Sequence, residues 1–144
     1  MSTTAAVAVH VEQSANKGLR IGLWLVQALL AFAFAGAGAM KLFTPMAELL
    51  AQMAWVSAVP EAMVRFIGAA ELAGAIGLIL PALTRIKPGL TVLAAGGLTV
   101  VMLAAAPFHL SRGEVGAIVP NLILGALAAF VAWGRFKKAP IAPR

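Results

Sequence analysis

Val64-Arg65-Phe66-Ile67-Gly68-Ala69-Ala70-Glu71-Leu72-Ala73-Gly74-Ala75-Ile76-Gly77-Leu78-Ile79-Leu80 is the stretch that decides the fold. Apart from Arg65 and Glu71, every residue in it is apolar or small, and Pro60 and Pro81 stand on either side. A helix crossing the hydrocarbon core needs about 20 such residues, because the core is about 30 Å thick and the rise is about 1.5 Å per residue. With its flank, this stretch meets that need. Three further segments do so as well. Leu19 to Met40 is uncharged after Arg20, a third segment runs over 89–107, and a fourth over 117–134. The second span is read as 62–80, closed by Pro81, and the third as closed by Pro107. The second and fourth are short and would extend into their flanks or thin the bilayer locally.

The composition agrees. Of 144 residues, 62% are apolar and 11% charged, and there is no Cys, Tyr or Asp. Mean hydropathy is +0.96. A soluble domain is usually nearer to about 45–50% apolar. Disorder, a disulfide scaffold, a cysteine nucleophile and a thiolate metal site are excluded. The net charge of +6 lies between apolar runs, so it reads as membrane topology and not as a nucleic-acid surface. The expected fold is an all-α integral membrane protein, a four-helix bundle over 19–134. Residues 1–18 are read as a mobile terminus with a solvated His10, and 135–144 as a basic tail. Lys17, Arg20 and the apolar run up to Ala37-Gly38-Ala39 resemble a signal peptide, but the run exceeds a usual h-region and is read as a retained helix.

Lys and Arg orient the bundle. Four spans place both ends on one side, with Lys17, Arg20, Arg85, Lys87, Arg135, Lys137, Lys138 and Arg144. Only Lys41, Arg65 and Arg112 fall on the other. The expectation is a bacterial cytoplasmic membrane with both termini cytoplasmic. Trp24 and Trp133 then sit at the inner interface and Trp55 at the outer one, as an aromatic belt does. Ala70 with Gly74, and Ala73 with Gly77, form small-xxx-small pairs for close helix packing; Gly36, Gly38, Gly96, Gly97 and Gly125 add flat surfaces.

Between the first two spans, Met46, Leu49, Leu50, Met53 and Val56 keep helical spacing over Pro45–Ala58. This predicts one amphipathic helix of about three turns, too short to span. It is either a plain interfacial connector or a lid over the bundle.

The unusual polar residues gather in the outer half: Lys41, Arg65, Glu71, His109, Arg112, Glu114 and Asn121. Glu71 lies about 15 Å into its helix. A carboxyl there must be neutral, paired or hydrated, so it should face the bundle interior. Its candidate partners are Lys41, Arg65 and His109, although Glu61 is the easier partner of Arg65 at i,i+4. Glu71 reads either as a proton-handling or headgroup-binding group or as a staple between helices. His109 could hydrogen-bond a quinone-like carbonyl, shuttle a proton, ligate a haem iron, or cap a helix end. No second histidine near the membrane offers the other axial position for haem. A zinc site would have only His109, Glu71 and Glu114, and no metal is expected. Lys41 reads as either a snorkelling cation or a site residue, Asn121 as a helix–helix hydrogen bond, and Arg112 with Glu114 as a solvated turn. Walker, G-x-S-x-G, H-E-x-x-H and Rossmann signatures are missing.

Gly38-Ala39-Met40-Lys41-Leu42, the block from Arg65 through Gly68-Ala69-Ala70-Glu71 to Gly77-Leu78 with Pro81, His109, and Asn121 together resemble the DoxX-like family of small four-helix membrane proteins. The arrangement covers about residues 20 to 134. The resemblance implies the same bundle. It associates the chain with quinol oxidase, with thiosulfate:quinone oxidoreduction, with oxidative-stress complexes, or with assembly of membrane channels. It maps Lys41, Arg65, Glu71, His109 and Asn121 onto the family's recurrent polar positions. Without Cys, a thiol-based redox step would belong to a partner.

Three functions follow as expectations. The first is a redox-associated protein that binds a quinone or other small apolar ligand in an outer-half pocket. There Glu71 and His109 handle protons, and Lys41, Arg65 and Asn121 bind. The second is a non-catalytic subunit or assembly factor of a larger membrane complex. The third is a haem- or lipid-substrate enzyme such as an isomerase, with His109 as axial ligand. Membrane lipid surrounds the protein in each case, and a homo-oligomer would bury more of each helix.

Overall fold

The computed structural model describes residues 3–144, and their side chains outside 8–15. His10, read as solvated, therefore lies outside the described side chains. Helix α1 spans Thr3–Phe43, α2 Met46–Gln52, α3 Glu61–Thr84, α4 Gly89–Ser111 and α5 Val115–Trp133. A 3-10 turn, Ala54–Ala58, follows α2, and a π turn, Gly134–Lys138, extends α5. Four segments are long and apolar enough to cross a membrane: Asn16–Phe43, α3, α4 and Val115–Lys138. Helix α1 packs on α3, α3 on α4, α4 on α5, and α5 closes back on α1.

Each long helix turns one narrow stripe inward. On α1 the stripe is Leu23, Gln27, Leu30, Phe34, Gly38 and Lys41, in steps of three or four residues. On α3 it is Val64, Gly68, Glu71, Ala75 and Leu78. Thr91, Ala95, Leu98, Met102 and His109 carry it on α4, and Gly125, Ala128 and Val131 on α5. The central apolar layer combines Leu30, Phe34, Leu78, Leu98, Met102 and Ala128. The other faces are studded with exposed Leu, Ile, Val and Phe. Lipid is their natural solvent.

Four expectations are corrected. First, Pro81 and Pro107 do not end their helices; α3 continues to Thr84 and α4 to Ser111. A proline removes one amide donor near a helix end, and membrane helices absorb this loss readily. What stops α3 is Arg85 in the left-handed region, φ 60°. With these extensions the second and fourth spans are 24 residues each, long enough for the bilayer without thinning it. Second, the connector is not one helix. It breaks at Met53, φ −133° and ψ 95°, into the seven-residue α2 and the 3-10 turn. So short a helix gains little from propagation, and packing decides its course. Leu49 and Val56 are buried with Val64, whereas Leu50 is 45% exposed. Third, the first helix does not begin near Leu19; α1 runs from Thr3. It holds no proline, and its first glycine is Gly18. Fourth, Lys41 does not snorkel; it is 7% exposed and points inward.

Two glycines set the α1–α3 distance. A Cβ on Gly38 would stand 2.7 Å from the Gly68 carbonyl oxygen and 2.7 Å from the Leu72 nitrogen. A Cβ on Gly68 would stand 2.8 Å from the Lys41 Cβ. Gly74 and Gly77 do the same work against Leu98 and Ala94 on α4. Gly36, Gly96 and Gly97, expected as packing surfaces, meet nothing within 4 Å.

Candidate functional site

The close approach of α1 and α3 brings Lys41 to Glu71. Lys41 Nζ donates to Glu71 Oε2 at 2.7 Å, with the side chains 9% and 5% exposed. Each charge is thus answered inside the bundle. The desolvation cost of the pair is offset only while both partners remain.

Arg65 lies one turn and a half before Glu71 and turns away from it. Its Nη1 donates to the Lys41 carbonyl at 2.7 Å and the Thr44 carbonyl at 2.8 Å. These groups lie at the C-terminal end of α1, where carbonyls lack helical partners and a cation meets the negative end of the helix dipole. Its Nε and Nη2 donate to Glu61 Oε1 at 3.3 and 3.1 Å, the expected i,i+4 pair. Thr44 precedes Pro45, which discourages further helix. Arg65 therefore stitches the start of α3 to the end of α1.

The second polar group lies in the α4–α5 hairpin. Gly113, φ +70°, makes the tight turn. His109 Nδ1 lies 2.6 Å from Glu114 Oε2, and Arg112 Nε donates to Glu114 Oε1 at 2.9 Å. This is more than the solvated turn the sequence suggested, because Glu114 anchors a buried imidazole. The hydrogen bond with His109, supported by Arg112, holds the Glu114 carboxyl below the usual carboxylate range. Trp55, delivered by the 3-10 turn, meets the His109 ring edge-on at 6.4 Å, and Phe108 meets it at 5.7 Å. Arg112 also reaches back to the Ala54 carbonyl at 3.4 Å. The connector is thereby held over the C-terminal end of α4.

The candidate residues do not form one cluster of mutual contacts. Lys41 pairs with Glu71, Arg65 with Glu61 and backbone, and His109 with Glu114. Asn121, expected to bond a neighbouring helix, has a buried Nδ2 without a hydrogen-bond partner. Among the described residues no three metal-ligating His, Cys, Asp or Glu side chains come together.

Sequence reasoning missed a buried polar pair at the opposite, basic end. Gln27 Nε2 donates to the Leu78 carbonyl at 2.6 Å, and Arg135 Nε donates to Gln27 Oε1 at 2.7 Å. Gln27 is 0% and Arg135 4% exposed. The signal was available: counting back from Lys41 by three or four residues along α1 reaches Gln27.

The DoxX-like family model matches residues 25–131. The chain belongs to the DoxX-like family. Taken with its four membrane-length helices, this makes it an integral membrane protein. The chain finds no significant match among curated proteins or among solved structures. In this DoxX-like protein the matched region contains Lys41, Arg65, Glu71, His109 and Asn121, and ends before Arg135.

Proposed function

We propose that this DoxX-like protein is redox-associated and binds a quinone, or another apolar ligand with a polar head, at its outer end. The observation that carries this reading is the setting of His109. Nδ1 is held by the Glu114 carboxylate at 2.6 Å, while Nε2 makes no hydrogen bond among the described residues. A carboxylate on Nδ1 keeps the proton there and leaves Nε2 with a lone pair. Such a nitrogen accepts a hydroxyl hydrogen bond from a quinol, and Glu114 stabilises the imidazolium if the proton follows. When it is protonated, Nε2 instead donates to a quinone carbonyl. Trp55 and Phe108 offer aromatic edges beside it. Lys41 and Glu71 support the site by pinning α1 to α3 through their 2.7 Å pair.

The test is an absorption spectrum and native mass spectrometry on the protein purified in mild detergent. A bound quinone in the wild type, lost in His109→Ala and weakened about tenfold or more in Glu114→Gln, is the expected result. Unchanged binding in His109→Ala overturns it. A Soret band moves the reading to haem. A ligand-free protein with a stoichiometric membrane partner moves it to a subunit or assembly factor.

A further inference from the structure

The basic end holds a feature that the outer-end reading does not use. A half-open crevice of about 440 Å³ lies between α1, the end of α3, the end of α5 and the C-terminal tail. Arg20, Arg85 and Arg135 line it, with Trp24, Pro140 and Ile141. No acidic side chain is among its lining residues. Pockets for small ligands usually run from about 300 to 1,000 Å³, so its size is adequate.

Three guanidiniums lining one crevice repel one another, and the buried Arg135 also loses hydration. Neutral groups compensate only in part. Arg135 Nε is met by Gln27 Oε1, and its Nη1 donates to the Ala139 carbonyl at 3.2 Å. Its Nη2 is buried and has no hydrogen-bond partner. Trp24 lies under the guanidinium at 5.2 Å, which holds its plane and leaves its edge for an acceptor. The Arg85 side chain donates to neutral tail carbonyls, those of Ala142 at 2.8 Å and Pro143 at 3.3 Å. A phosphate would replace those neutral acceptors with a charged one, giving shorter and stronger hydrogen bonds.

We propose that this crevice binds a phosphate group, carried on an anionic lipid, with Arg20, Arg85 and Arg135 as its ligands and the tail as its outer wall. The lipid is favoured as carrier because Arg135 lies inside a membrane-length segment, Val115–Lys138. Leu83, exposed at 68% beside the crevice, offers acyl chains an apolar path. Basic pockets at this depth between membrane helices suit anionic headgroups.

The experiment uses the full chain in detergent, delipidated and then exposed to phosphatidylglycerol, phosphatidylcholine or inorganic phosphate. Binding is read by native mass spectrometry and by melting temperature. The expected result is at least tenfold tighter retention of phosphatidylglycerol than of phosphatidylcholine. The double variant Arg20→Gln, Arg85→Gln should lose that preference while keeping its helical circular dichroism. Both side chains are exposed, so this variant folds where a change at buried Arg135 would endanger the bundle. Equal retention of the two lipids by the wild type, without stabilisation by phosphate, overturns the proposal, as does an unchanged preference in the folded double variant. Stabilisation by inorganic phosphate, lost in the double variant, with no lipid preference supports the phosphate site and overturns the lipid as its carrier.

Discussion

Glu71 and Lys41 illustrate how a single ionisable residue is tolerated inside a membrane bundle. Removing one partner of a buried pair strands the other, at a cost of about 3–5 kcal/mol, whereas replacing both by apolar groups is often neutral. Glu71→Gln and Lys41→Met should therefore each destabilise the protein strongly. The double variant Lys41→Met, Glu71→Leu should recover most of the loss, as read by thermal unfolding in detergent. A pair with a proton-handling role would instead lose activity in the double variant despite regained stability. Glu114 behaves differently, because it lies at the bundle's edge. Its carboxyl is held below its ordinary range chiefly by the His109 hydrogen bond. Its contribution is thus fully present above the usual carboxylate value, about 4.3, and is lost as pH falls through the lower folded value. Hydrogen exchange in the 109–114 turn should rise on that acid limb in the wild type. In Glu114→Gln it should be raised already at neutral pH and change little on acidification.

At the level of elements, contact between α1 and α3 depends on having no side chain at Gly38 and Gly68. A Cβ at Gly68 meets the Gly38 carbonyl oxygen at 2.9 Å as well as the Lys41 Cβ at 2.8 Å, and backbone cannot give way without separating the helices. Gly68→Ala should cost about 1–3 kcal/mol, the usual range for overpacking, and should loosen the Lys41–Glu71 pair with it. Gly96→Ala and Gly97→Ala, which add a methyl to open space, should leave the melting temperature unchanged within error. The existence of the four spanning helices was legible from hydropathy alone, but their ends were not. Proline marks a lost donor, not a stop, and at Pro81 and Pro107 the chain runs on for another turn. The connector was legible as amphipathic. Its break at Met53 was not, because it follows from Leu49, Val56 and Trp55 finding separate places over the bundle.

For the molecule as a whole, the charge pattern makes a prediction about sidedness. The basic end carries Arg20, Arg85, Lys87, Arg135, Lys137 and Lys138, and the opposite end Lys41, Arg65 and Arg112. The natural absence of cysteine makes this easy to check. Ser57→Cys, in the 3-10 turn, should react with an impermeant maleimide on intact cells. Lys138→Cys should react only after permeabilisation. The reverse pattern would invert the assignment and place the arginine crevice on the outer face.

Sequence by itself determined the class of the protein, the number of its spans and the family to which it belongs. These follow from a bulk property, the transfer of long apolar runs into lipid, and from short motifs such as Gly68-Ala69-Ala70-Glu71. Sequence also marked the polar residues Lys41, Glu71 and His109, because a carboxyl within a membrane helix must be answered. Only the tertiary structure decided which residue answers which. Lipid and protein interior are equally apolar, so hydrophobicity does not tell the inward face of a membrane helix from the outward one. The polar and small residues carry that information, and they do so jointly. Gln27 means little until Leu78 and Arg135 are brought to it, and Arg135 reads as one more topogenic charge until the bundle closes around it.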